Sequence, residues 1–314
     1  MSKGKCLLVG GNGFIGKNLT QRLLEENWEV IVYDNTNPLI KSPNLIHIEG
    51  SIEDTTFLAK AIHSADAIIW LVHTSVPATS MYNVESDLSS NIPPLIRFIQ
   101  LLPDNLKIKK FIYLSSGGTV YGDRDIKTPI DESSAKDPIS SYGLTKLIAE
   151  EYLTFFLKRT SISTFILRPS NVYGRHQNLT KPQGIIGHAF KSIIHKQSID
   201  IYGDGSIIRD YIHVNDLAEA IILCLKSSIN NHFPKILNIG SGQETPINSI
   251  IELVNKITNL TVSVNRMPER PFDCKFNVLS IEKAKQEIGW TPKIELQNGL
   301  HDVWEWIRAS SKPL

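Results

Sequence analysis

The chain has 314 residues, and its 33 lysines and arginines nearly cancel its 32 aspartates and glutamates without forming a run of like charge, which argues against nucleic acid or an anionic membrane as a partner. The length suffices to bury a large core, as one large domain or as two lobes. Cys6, Cys224 and Cys274 are widely spaced, with neither a disulfide framework nor a metal-ligand pattern, and are expected to be reduced thiols.

In chain order, short apolar runs alternate with amphipathic stretches. Strands are expected at residues 5–9, 30–33, 45–48, 67–71, 110–114 and 163–167, and helices at 14–26, 56–62, 84–101 and 142–158. Most of these strands lack apolar/polar alternation, which implies a parallel sheet covered on both faces. The first apolar run, Cys6 to Val9, is too short for a signal-peptide core, and no later run approaches a membrane span, so a soluble, cytoplasmic protein is expected. After Arg168 the rhythm becomes irregular, with helices expected near 185–195, 214–225 and 247–258 and a turn at Gly203-Asp204-Gly205. The expected fold is α/β: a Rossmann-like doubly wound parallel sheet over 1–170, with returning segments near 210–240, and a smaller C-terminal α+β lobe from 171–209 and 241–314.

Two local patterns carry chemistry. Gly10, Gly13 and Gly16 follow the first strand and open the first helix, where the chain can turn tightly and the free N–H groups near Phe14 and Ile15 can meet a pyrophosphate. A glycine-rich loop alone is often only a turn; its place between strand and helix gives it weight. Asp34, followed by Asn35, ends the second strand about twenty residues on, where a carboxylate accepts hydrogen bonds from ribose hydroxyls and repels a 2′-phosphate. NAD is therefore expected rather than NADP. In the second pattern, Tyr142 and Lys146 stand one helical turn apart and leave the same helix face. An ammonium near a phenol favours phenolate and lowers its pKa, so such a pair can exchange a proton with a hydroxyl.

With these motifs in this order, the sequence resembles the extended short-chain dehydrogenases that act on nucleotide sugars, most closely the UDP-glucose 4-epimerase group. The likeness runs nearly end to end and includes the segment from Leu114 to Gly122, the segment from Leu167 to Gly174 and the segment from Arg209 to Asp216. The resemblance implies that Tyr142 is the acid/base and that Lys146 holds the nicotinamide ribose. It implies further cofactor contacts at Ser51 and Ile52 after the third strand and at Leu71 after the fourth. Asn171 would bond the substrate, Arg209 and Arg270 would grip its diphosphate, and Asn277 would face the sugar where an N-acetyl group needs space. His213 reads as a packed structural residue. Many relatives dimerise through the Tyr-Lys helix, for which Leu147, Ile148, Tyr152, Phe155 and Phe156 offer apolar surface, so a homodimer is expected.

The departures narrow the chemistry. The group commonly carries Ser or Thr where this chain has Gly117, leaving Ser116, Thr119 or a water to supply the hydroxyl that shares the sugar O4 proton. The family's usual aspartate near the adenine is Ser51, and its small turn after the fourth strand is Leu71-Val72-His73-Thr74. Relatives that eliminate water carry an Asp-Glu pair where this chain has Gly118-Thr119, and decarboxylating relatives place a glutamate at the position of Thr119. What remains is 4-epimerisation of a UDP-hexose or UDP-N-acetylhexosamine through a 4-keto intermediate. The alternatives are reduction of a nucleotide-linked 4-keto-6-deoxysugar and a catalytically weak NAD-binding regulatory or scaffold protein.

Overall fold

The computed structural model describes residues 3–37, 40–102, 107–123, 127–179, 184–228, 233–269 and 274–310. The first half contains β1 (Lys5–Val9), α1 (Phe14–Glu25), β2 (Glu29–Asp34), β3 (Leu45–Glu49), α2 (Thr55–His63), β4 (Ala67–Trp70), α3 (Pro77–Ser80), α4 (Val84–Gln100), β5 (Lys110–Leu114) and α5 (Ser141–Leu157). There follow β6 (Ser163–Pro169), β7 (Asn171–Tyr173), α6 (Ile185–His195), β8 (Ile199–Tyr202), β9 (Ile208–Arg209), β10 (Tyr211–His213) and α7 (Val214–Lys226). The last are β11 (Lys235–Ile239), β12 (Thr245–Pro246), α8 (Ile247–Thr258), β13 (Val264–Met267), β14 (Phe276–Asn277), α9 (Glu282–Ile288) and α10 (Leu296–Ser310).

Seven strands form one parallel sheet in the order β11-β6-β5-β4-β1-β2-β3. Successive side chains of its strands point to opposite faces, so each strand feeds two cores. Leu7, Val9, Ile31, Tyr33, Ile68, Trp70, Phe111 and Tyr113 pack beneath α2, α4 and α5. Cys6, Leu8, Val30, Val32, Ile69, Ile112 and Leu114 pack beneath α1 and α7. Each such side chain contributes about 1.5–3 kcal/mol when fully buried, which makes strand register hard to slip. The sheet is the expected Rossmann-like one, and its outermost strand, β11, was not among the expected strands.

A third core, built from α6, α8, α10, β8 and β10, forms the smaller α+β part. Pro93 and Pro94 remove two backbone donors inside α4, yet the helix runs on because Pro94, Leu95, Phe98 and Ile99 are buried on the sheet. The three cysteines are buried free thiols. Among the described residues no helix is long and apolar enough to cross a membrane.

Candidate active site

Strand order reverses between β1 and β4, and at such a switch point the strand ends splay to leave a crevice. A cleft of about 960 Å³ opens there, and among the residues expected from sequence it is lined by Gly10, Gly13, Phe14, Asp34, Asn35, Ser51, Ile52 and Leu71. Gly10 turns at φ +85°, and a Cβ on it would lie 2.8 Å from Val72 Cγ2. A Cβ on Gly16 would lie 2.4 Å from the Gly11 carbonyl, so this glycine lets α1 pack on its own loop. Ile15 turns its side chain into the core. Gly13 starts α1 with no side-chain cap and no acidic residue in the first turn, leaving N–H groups that suit an anion.

Asp34 Oδ2 accepts the Asn12 N–H at 2.9 Å, while Oδ1 accepts the Thr36 N–H at 3.0 Å and the Thr36 hydroxyl at 2.7 Å. Asn12 Nδ2 also donates to Thr36 O at 2.6 Å and to His47 Nε2 at 2.9 Å, tying the glycine loop to β2 and β3. The glycine turn, the open helix start and this held carboxylate fit a dinucleotide. Sequence reasoning named His73 and Thr74 only as a departure in the turn after the fourth strand, and missed Lys17, Ser90 and His176 on the cleft wall. Lys17 was within reach, since it directly follows the last glycine of the loop. His176 comes from the far side of the fold and left no local signal.

The Tyr-Lys pair sits at the start of α5, where Ser140 caps the helix by accepting the Gly143 N–H at 3.2 Å. Lys146 Nζ donates to Leu114 O at 2.7 Å and lies 5.7 Å from the centre of the Tyr142 ring. Burial pulls the Lys146 ammonium down to about 7, against the opposing pull of Glu150 and Asp87. Burial pushes the Tyr142 phenol up to about 12; Asp87 adds to the rise, and a hydrogen bond with the Ser116 side chain counters it. The lowering expected from the ammonium is thus not found: burial raises the phenol, and the ammonium's own burial favours its neutral form.

Glycine at 117 has a steric reason: a Cβ there would lie 2.5 Å from Leu279 Cδ1 and 2.9 Å from the Arg168 carbonyl. The hydroxyl beside the phenol comes from Ser116, whereas Thr119 Oγ1 is buried without a hydrogen-bond partner among the described residues. Beneath Lys146, Arg168 donates to both Glu150 oxygens, at 2.9 and 2.5 Å, and at 2.8 Å to the Tyr121 hydroxyl. The Ser115 hydroxyl completes that buried set by donating to Glu150.

Away from the cofactor cleft, β14 pairs with β9 so that Asn277 stands beside Arg209. Asn277 is fully buried; its Nδ2 donates to Gly117 O at 3.2 Å, and its Oδ1 has no partner among the described residues. Arg209 is partly buried and donates to Ile208 O at 2.9 Å. Asn171 Nδ2 donates to Asp210 O at 2.9 Å. Arg270 lies outside the described residues. His213 is buried at the start of α7, its Nδ1 accepting the Asn215 N–H at 3.3 Å, which is the packed role expected of it.

A doubly wound sheet with a glycine-turn cleft and, beside it, a Tyr-Lys pair whose lysine is buried defines an extended short-chain dehydrogenase. The chain belongs to the NAD dependent epimerase/dehydratase family, whose model matches residues 6–240, and NAD is its cofactor. It is 31% identical to a dTDP-4-dehydro-6-deoxyglucose reductase of Escherichia coli over 98% of each chain. The structure of a UDP-glucose 4-epimerase of Thermotoga maritima with UDP-glucose superposes with a TM-score of 0.89, at 30% identity over 98% of this chain and 99% of that one. That of MoeE5 in complex with UDP-glucuronic acid and NAD also gives 0.89, at 26% identity over 98% of this chain and 100% of that one. The protein is an enzyme of the nucleotide-sugar epimerase/dehydratase kind.

Proposed function

We propose that the protein interconverts UDP-hexoses or UDP-N-acetylhexosamines by epimerisation at C4 through a transient 4-keto sugar. The observation that carries this reading is the phenol of Tyr142, one helical turn from Lys146 and in edge-on contact with His73 of the cofactor-cleft wall. The Gly10–Gly16 loop, Asp34 and Lys146 hold the cofactor, with Asn35, Ser51, Ile52 and Leu71 along its wall. The cofactor held there would supply both the acceptor for the C4 hydride and, once reduced, the donor that restores it to the other face of C4. Tyr142 takes the O4 proton and later returns it to the same oxygen, so no proton is gained or lost over the cycle. Ser116 donates a hydrogen bond that favours the phenolate, and Lys146 favours it further whenever it is charged. Arg209 and Asn171 hold the diphosphate end, while Asn277 borders the sugar beside Gly117. Residues 1–170 with returning segments near 210–240 carry the cofactor, and 171–209 with 241–314 carry the nucleotide sugar; the separate core of α6, α8 and α10 supports that division.

Reduction of a nucleotide-linked 4-keto-6-deoxysugar is the second reading, favoured by the 31% identical reductase. One experiment separates them: a panel of UDP-sugars followed by NMR. Interconversion without added reduced cofactor supports epimerisation, whereas turnover of 4-keto sugars alone, with reduced cofactor consumed, supports reduction. Tyr142→Phe is expected to lower the rate by about 10²- to 10⁴-fold while NAD stays bound, and a wild-type rate in this variant would overturn the assignment.

A further inference from the structure

A set of polar groups on the far side of Tyr142 has no part in the proposed reaction. Asp87, on α4, is only 3% exposed, and among the described residues its nearest cationic candidate is His73, whose Nε2 lies 3.6 Å from Oδ1. The carboxylate is instead held by hydroxyl groups. Ser141 donates to Oδ2 at 2.6 Å, Thr145 donates to the same oxygen at 2.8 Å, and Ser75 donates to Oδ1. Asn91 Nδ2 adds a longer bond of 3.3 Å.

These donors come from separate parts of the chain. Ser141 and Thr145 each precede a member of the Tyr142–Lys146 pair, so the carboxylate grips the same helical turn from its neighbouring face. Ser75 and His73 belong to the loop after β4, and His73 and Thr74 line the cofactor cleft. The His73 ring meets the Tyr142 ring edge-on, with centres 4.5 Å apart. The Lys146 ammonium feels the Asp87 carboxylate without forming an ion pair with it, and a buried charge so weakly compensated is costly, so fold stability alone is a poor account of it.

We propose that Asp87 is a positioning residue for the proton-transfer pair: it fastens the first turn of α5 and the cofactor-side loop to one point on α4, so that Tyr142, Lys146 and the cleft wall keep a single mutual geometry. The proposal rests on the acid/base reading of Tyr142. The groups facing the phenol are Lys146 from α5, Asp87 from α4, His73 from the loop after β4, and Tyr113 and Ser116 from β5 and its following loop. Glu150 faces Lys146 from below. His73 stays neutral, held down to about 2 by burial and by Lys146. Of these, Asp87 opposes the phenolate and supports the ammonium.

The test is the pH profile of kcat for the full-length enzyme with NAD, on whichever UDP-hexose the panel shows to be interconverted. Asp87→Asn is expected to lower kcat by about 10²-fold with KM unchanged. It is also expected to move the rise of kcat to lower pH, because the charge opposing the phenolate is gone. Ser141→Ala keeps the carboxylate but removes one of its donors, and is expected to move the rise to higher pH. If Asp87→Asn does not fold, the Ser141→Ala profile decides alone. A wild-type profile, even with a lowered melting temperature, reduces Asp87 to a brace of the fold and overturns the proposal. Retained activity in Tyr142→Phe would instead overturn the acid/base reading, so the two failures are distinguishable.

Discussion

Gly117 illustrates what a single residue can hide. From sequence it reads as the loss of a hydroxyl, because the direction of the Ser116 side chain and the nearness of Leu279 are tertiary facts. Restoring the serine is therefore expected to do harm rather than good. Gly117→Ser places a Cβ against Leu279 and the Arg168 carbonyl, and its midpoint of urea unfolding is expected to fall by an amount worth about 1–3 kcal/mol, without a gain in rate. Stability equal to wild type would mean that the contact relaxes without cost. The Tyr142–Lys146 pair was legible from its spacing, but spacing carries no information about depth. Burial raises the phenol and lowers the ammonium, so the net shift of the phenol runs opposite to the one expected from proximity alone.

At the level of elements, the strands of the first half and its helices other than α3 stood out because short apolar runs alternate there in regular order with amphipathic stretches. Strand β11 did not, since it joins the sheet edge only after α6, α7 and several small strands have intervened and broken the rhythm. Helix α10 lay beyond the expected elements although Leu300, Val303, Trp304 and Ile307 recur at helical spacing, with all four in the third core. The outer faces of α4 and α5, which pack on each other, leave Val84, Leu88, Leu144, Tyr152 and Phe155 exposed. We propose that these two helices form the homodimer contact, with Tyr152 and Phe155 of the surface expected on the Tyr-Lys helix, whereas Ile148 and Phe156, also expected there, pack against the second core. Phe155→Glu is then expected to convert a dimer to a monomer in sedimentation velocity, and a wild-type protein that already sediments as a monomer would refute the contact.

Across the whole molecule, the fold class was legible because the alternation of strand and helix admits few arrangements of a parallel sheet. The site was legible only along its cofactor side, where glycines, Asp34 and the Tyr-Lys pair are local patterns. Its remaining wall is assembled from residues 73–74, 90 and 176–178, which no short window of sequence connects. A ligand in this cleft touches parts of the chain from the first turn of α1 to the segment after β7, so its binding resists unfolding of the whole. NAD at about 100 times its Kd is expected to add about 2.7 kcal/mol to stability, seen as a higher thermal midpoint. NADP at the same concentration is expected to give a smaller shift, because Asp34 stands on the cleft wall; an equal or larger shift would contradict that role.

The bonds that hold Asp34 have a consequence for the speed and economy of recognition. Its carboxylate is fixed from the glycine loop by Asn12 and from its own turn by Thr36. A side chain so restrained has little rotamer freedom left to lose, so ordering it does not weigh against a ligand that arrives later. The cleft meets the cofactor with that wall preorganised, and discrimination there becomes a matter of fit at first encounter rather than of a conformational search after it.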